Sequence, residues 1–123
     1  MPASKSVIEL TQVAARAIAE KLGTDMIALD LSDQLVLSEV FLIATGGNVR
    51  QVDSIADFVE EKLREIGEKP ARREGTEEWV LLGYSDLVVH IQSTTLRNYY
   101  MLDRLWNDCP RIELDIVREE VAR

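Results

Sequence analysis

Two nearly unbroken apolar runs, Met26–Leu31 and Val40–Thr45, constrain this chain more than any other feature of its sequence. Neither alternates with polar residues, as a strand with one face in water does. Both are therefore predicted to be strands inside a sheet covered on both faces, and such a sheet needs helices to cover it. The chain has 123 residues, enough for one domain. A domain of that size buries roughly two-thirds of its unfolded surface.

Helical spacing supplies the covering layers. Ile8, Thr11, Ala15, Ile18 and Leu22 share one face, which predicts a helix over 6–22. Ser6 and Glu9 stand at capping-box spacing at its start, and Gly23 supplies its stop. A second helix follows Gly46-Gly47-Asn48, with Asn48 and Gln51 again at capping-box spacing. Val52, Ile55, Ala56, Val59, Leu63 and Ile66 form its apolar face, Glu60 and Arg64 an outer i,i+4 pair, and Gly67 its end. The charged stretch 68–78 reads as a loop with a weak edge strand at Lys69–Arg73. Trp79–Gly83 and Leu87–Gln92 form a hairpin, and a last helix over 94–108 stacks Leu96, Tyr99, Leu102 and Trp106 before Pro110. The predicted fold is α/β, a single domain with a mixed sheet of about five strands flanked by helices in the order α-β-β-α-β-β-β-α. The domain spans 1–109 and a tail 110–123. In the tail Ile112, Leu114 and Ile116 alternate with Arg111, Glu113 and Asp115, which leaves an added edge strand or a frayed extension open.

Charge narrows the partners. The 22 acidic residues against 14 Lys and Arg leave a formal net charge of -8. That balance argues against a primary grip on nucleic acid and favours a basic partner reached by electrostatic steering. A single cysteine, Cys109, forms no internal disulfide and reads as an inert thiol beside Pro110. The polar start of the chain is not a signal peptide, and no run reaches the ~20 apolar residues of a membrane helix. A soluble cytoplasmic protein without membrane contact is expected.

Catalytic signatures are weak. Thr45-Gly46-Gly47-Asn48 joins a strand to a helix but lacks the Gly-Lys-Ser/Thr ending of a phosphate loop and the third glycine of a dinucleotide fingerprint. One histidine and one cysteine cannot build a zinc site. Asp30, Asp33, Glu74, Glu77 and Glu78 read as solvated turn acids, although Asp30 ends an apolar strand. No cofactor and no metal are expected, and no catalytic residue is assigned.

The hairpin says more. If Tyr84-Ser85 is a two-residue turn, Gly83 faces Asp86, Leu81 faces Val88 and Trp79 faces His90, all on one side of the sheet. Leu87, Val89 and Ile91 then form an aliphatic row on the other side, packed on a helix. The first face mixes Trp79, Asp86, His90 and Gln92. Either it is a wet face with His90 as a satisfied neutral imidazole, or it is a binding face with Trp79 as its anchor. Five of the seven aromatic residues lie between Trp79 and Trp106. On the last helix Tyr99 falls with the core residues, Tyr100 points toward a boundary, and Arg97 sits one turn earlier with a fork suited to carboxylates or carbonyls.

These same residues carry a family resemblance. The run Trp79–Ile91, with Arg97, Tyr100 and Leu105-Trp106, closely resembles the ribosomal silencing factors, also called the Iojap family. Ile27–Leu31, Phe41–Gly46, Arg50-Gln51-Val52, Ile55-Ala56-Asp57 and Glu74-Gly75 agree, so the likeness covers about 6–108. It implies a nucleotidyltransferase-like fold and a binding protein without catalysis. Such a protein docks on protein fourteen of the large ribosomal subunit, keeps the small subunit from joining and lowers translation when nutrients are scarce. It also implies a homodimer when free. Trp79, Leu81, Asp86, His90, Arg97 and Tyr100 are the expected partner contacts, with Asp86 meeting Lys or Arg, and His90 and Arg97 orienting the others or touching the partner. The alternatives are an enzyme with Asp30 and Asp86 as magnesium ligands, and a large-subunit assembly factor.

The chain departs from the family pattern at several positions. Gly83 and Ser85 replace Asp and Gly in the sequence Asp-aromatic-Gly-Asp, Glu39-Val40 replaces an Asp-aromatic pair, and Asp103 replaces Glu. The missing carboxylate at Gly83 removes one acidic contact to a basic partner while Asp86 remains.

Overall fold

A computed structural model of the chain describes residues 3–33, 39–106 and 108–114. Gln34 of the expected turn, Asn107 of the expected last helix and the tail alternation at Asp115 and Ile116 lie outside the described residues. The elements run α1 (Lys5–Glu20), β1 (Thr24–Asp30), β2 (Val40–Gly46), α2 (Val49–Glu65), β3 (Arg72–Glu74), β4 (Trp79–Gly83), β5 (Leu87–Ser93), α3 (Thr94–Tyr100), α4 (Leu102–Leu105) and β6 (Arg111–Ile112). The six strands form one mixed sheet in the order β3-β4-β5-β2-β1-β6. Its centre is the parallel pair β2 and β5, and the other neighbours are antiparallel. The two apolar runs are thus internal strands of a covered sheet.

On one face α1 and α2 lie over Leu42, Ala44, Val80, Leu82, Val89 and Ile91. The aliphatic row expected on β5 is therefore packed against helices. On the other face Leu29, Leu31 and Ile43 pack with Cys109, Phe41, Leu102 and Trp106. Cys109 is a buried thiol, and burial pushes its pKa up, away from a reactive thiolate.

The α1 start differs from the capping-box expectation. Ser4, not Ser6, is the N-cap, accepting from the Val7 N–H. The helix reaches further back because the sheet caps it: Asp30 Oδ2 accepts the Ala3 N–H at 2.9 Å and Glu39 Oε1 the Ser4 N–H at 2.7 Å. At its end Leu22 takes φ 65° and is exposed. Gly23 follows because a Cβ there would strike Ile18 Cγ2. Asn48 caps α2 as expected, accepting from Gln51 N at 2.8 Å. The Gln51 carboxamide reaches back to Gly47 N rather than to Asn48 N. Val52 packs so closely on Gly46 that a Cβ there would lie 2.9 Å from Val52 Cγ2. The Gly46-Gly47 turn is thus filled by its own helix. Ile66, expected inward, is the exposed C-cap.

Two further expectations change. The weak edge strand lies at Arg72–Glu74, tied to α2 by Arg73 ion pairs to Asp53, Asp57 and Glu60. The last helix is broken at Met101, whose left-handed backbone (φ 49°) separates α3 from α4. Of the tail, Arg111–Ile112 forms a strand against β1, with Ala28 opposite Ile112.

Candidate functional site

The hairpin register is two residues off the expected one. Gly83 faces Val88, Leu81 faces His90 and Trp79 faces Gln92. Tyr84 N donates to Leu87 O at 2.8 Å, so Ser85-Asp86 form the turn. Neither turn residue has positive φ, so no glycine is needed there. A shift of two preserves the side on which each side chain lies. Trp79, Leu81, His90 and Gln92 still share the face away from α1 and α2.

Asp86 does not join them. It sits at the turn, about six strand residues from Trp79 and roughly 20 Å away at the rise of a strand. Its carbonyl accepts from Glu39 N and Val40 N, both at 3.0 Å, and its side chain lines a groove with α1. The structure brings Trp79, Leu81, His90, Arg97 and Tyr100 together and leaves Asp86 at the opposite end of the hairpin.

An aromatic chain runs across this face. Tyr100 packs on Trp79 with centroids 5.0 Å apart, and Trp79 lies 6.0 Å from the His90 ring. His90 meets Phe41 edge-on at 4.8 Å, and Phe41 meets Trp106 at 5.2 Å. The half-buried indole is held at one end by its Nε1–H, which donates to His90 Nδ1 at 3.3 Å. His90 Nδ1 is then an acceptor and the neutral ring carries its proton on Nε2, which is buried and makes no hydrogen bond among the described residues. Burial first, and then the Arg72 charge, lower the His90 pKa to about 4, so the ring is neutral at physiological pH. The satisfied neutral imidazole, one of the two readings the sequence left open, is thus only half satisfied. Gln92, fully buried, also leaves both amide atoms without a partner among the described residues.

Arg97 is buried and donates Nη1–H to Thr45 Oγ1 at 2.8 Å, joining α3 to β2. Ser93 caps α3 and donates to Glu78 Oε1 at 2.8 Å, fixing the residue before Trp79. His90 and Arg97 therefore hold the face from behind rather than offering themselves to a partner.

The part that reaches solvent is half-buried Trp79 and Leu81 together with the exposed α3–α4 corner. Tyr99 is 76% exposed, contrary to its expected core position, beside Tyr100, Met101 and Leu105 at 46%, 38% and 65%. The Met101 break resets the helical phase, so Tyr99 no longer shares the side of Leu102 and Trp106. Four large apolar side chains at one corner are unusual for a lone surface and typical of an interface. Sequence reasoning missed Tyr99, Met101 and Leu105, although three consecutive bulky residues at 100° steps cannot all face one core. It also missed Arg72. That side chain lies across Gly83, where a Cβ would come 3.0 Å from Arg72 Cγ and Nε.

Asp30 has other duties than metal binding. Its Oδ2 accepts the Ala3 N–H, and its Oδ1 accepts the Ser32 N–H and Oγ–H at 3.0 and 2.6 Å. Burial raises its pKa, but these hydrogen bonds outweigh that effect and hold it below the usual carboxylate value.

Comparison with known proteins shows which family the chain resembles. A family model described as "Ribosomal silencing factor during starvation" matches residues 4–123. A ribosomal silencing factor of Halalkalibacterium halodurans is 36% identical over 109 residues, covering 87% of this chain and 93% of that protein. Another, of Chromobacterium violaceum, is 38% identical over 100 residues, covering 80% and 82%. A crystal structure of a Chromobacterium violaceum protein superposes with a TM-score of 0.78 at 34% identity, covering 89% of this chain and 92% of that one.

Proposed function

The chain belongs to the ribosomal silencing factor family, and on that premise we propose that it represses translation by docking on protein fourteen of the large ribosomal subunit and obstructing the small subunit. The observation that carries this is the aromatic and apolar corner formed by Trp79, Leu81, Tyr99, Tyr100 and Leu105, presented on a rigid sheet. Trp79 is the anchor: a half-buried indole, backed by His90 and Tyr100, that needs little further ordering to enter an apolar recess. Leu81 and Tyr100 complete the contact, and His90 and Arg97 position it. The net charge of -8 steers the chain toward basic ribosomal protein surfaces. Action is steric, in the cytoplasm, with no chemical step and no cofactor. Free of the ribosome, the same corner pairs two copies of the chain.

Co-sedimentation with large subunits tests the assignment. Trp79→Ala is expected to cost ~2 kcal/mol or more, roughly 30-fold in affinity. Asp86→Arg, far from the corner, is expected to bind within about threefold of the parent. Equal binding by parent and Trp79→Ala would move the interface elsewhere. A subunit-association assay separates silencing from assembly, since an assembly factor leaves mature subunits free to join.

A further inference from the structure

The edge strand β3 carries two adjacent arginines, which its pleat sends to opposite sides of the sheet. Arg73 stands opposite Leu82 and meets α2, where its guanidinium pairs with the carboxylates of Asp53, Asp57 and Glu60. Arg72 stands opposite Gly83 and Glu74 opposite Leu81, so both belong to the face of Trp79. The Arg72 stem lies on Gly83, with Cγ and Nε 3.0 Å from where a Cβ would be, and Gly83 is buried beneath it. Glu74 Oε2 meets Arg72 Nε at 3.2 Å, while Nη1 and Nη2 have no partner among the described residues. The side chain is 56% exposed. Its charge also reaches His90, which holds the indole, and is the second cause of that ring's lowered pKa.

We propose, on the reading that Trp79 and Leu81 dock, that the Nη edge of Arg72 binds an Asp or Glu carboxylate of the partner protein beside the recess that takes them. A guanidinium is a planar fork of five N–H donors, and two parallel bonds from it fit a carboxylate. Arg73 shows that one guanidinium on this strand accommodates several acids at once. Seated on Gly83 and held by Glu74, the Arg72 side chain has given up rotamer freedom before the partner arrives, so docking costs less entropy. The net charge of -8 draws the chain to a basic surface without choosing a place on it. A cation on the docking face selects an acidic point of that surface and fixes the orientation.

Co-sedimentation of the full chain with large subunits separates the fork from bulk charge by the sign of the effect. Arg72→Gln makes the chain more acidic, which by steering alone tightens binding to a basic surface. Loss of the fork should weaken it instead, by about fivefold. Arg72→Lys keeps the charge without the fork and should lose about threefold. Gly83→Ala pushes the stem aside, so it should cost about threefold in the parent and nothing further in Arg72→Gln. Arg72 is exposed, so its variants keep the fold, which circular dichroism checks for all three. The proposal is overturned by unchanged or tighter binding of Arg72→Gln, or by equal losses from Gly83→Ala with and without Arg72. Full binding by Arg72→Lys also overturns it and marks a contact to phosphate or to charge alone. If Trp79→Ala weakens binding in the same assay, these outcomes remove the fork and leave the docking face standing. If Trp79→Ala and Arg72→Gln both bind as the parent does, the docking face falls with the fork.

Discussion

On the α1/α2 side of the sheet, Leu42, Leu82, Val89 and Ile91 are fully buried among other aliphatic side chains, whereas the same strands present Phe41, Trp79, His90 and Gln92 on the α3/α4 side. The first face has two long helices and no polar side chain from β4. The second has helices of seven and four residues, a neutral histidine and an amide without a partner among the described residues. Close packing of aliphatic groups maximises stability and leaves nothing to recognise. An aromatic face with polar atoms in reserve is less stable, but it can offer a rigid shape to another molecule.

Substitutions can break this contrast. Removing the Ile91 side chain by Ile91→Ala should cost about 3 kcal/mol in urea unfolding, because α1 and α2 cannot collapse onto the void. A similar cost from Trp79→Ala would mean that both faces serve stability alike.

The histidine supplies a pH signature confined to the second face. Its folded pKa of about 4 lies below the ordinary 6.5, so the unfolded chain takes up a proton first as pH falls. Stability contributed by the neutral ring is complete above pH 6.5 and is lost progressively toward pH 4. At about 1.4 kcal/mol per pH unit the loss reaches about 3 kcal/mol at most. Urea melts between those limits should show it, and His90→Gln should flatten the curve.

Gly75 links the loop to the anchor. It has φ +84°, and a Cβ there would run into the Trp79 carbonyl oxygen. Gly75→Ala is expected to lower stability by about 2 kcal/mol and to displace Trp79, so thermal melts and large-subunit binding should fall together. Loss of stability with full binding would separate the loop from the docking corner. The smallest effect belongs to Gln92→Leu. Replacing an amide that lacks partners with an apolar group of similar size should be neutral or stabilising by up to about 1 kcal/mol in urea unfolding. A clear loss would show that the amide has work on this face.

Much of this was legible in the sequence because it depends on neighbours along the chain. The two apolar runs, the Asn48 cap and the aliphatic row Leu87, Val89 and Ile91 need only local period and capping chemistry. What escaped depends on residues far apart in sequence. Ser4 displaced Ser6 as the α1 cap because Asp30 and Glu39 bind backbone N–H groups from across the sheet. Arg97 was read as a partner contact because Thr45, which buries it, lies 52 residues away. The turn at Ser85-Asp86 lacks a glycine to mark it, and the Met101 break occurs at a residue that normally continues a helix. Of the candidate site, the anchor Trp79 and its neighbours were visible, but their union with the α3–α4 corner was not.

The pairing of β6 with β1 has a consequence for the order in which the molecule forms. Asp30 N donates to Pro110 O at 2.8 Å, and Ala28 stands opposite Ile112. A strand made early in synthesis therefore waits for a neighbour that emerges some 80 residues later, at about 5–20 residues per second. Until then its outer edge is open, and the loop that must close, from residue 28 to residue 112, is about two-thirds of the chain. The docking of β6 is thus a long-range closure, of the kind that slows folding in sheet proteins. Chains released before Pro110–Ile112 are made would carry a bare sheet edge and pair with one another.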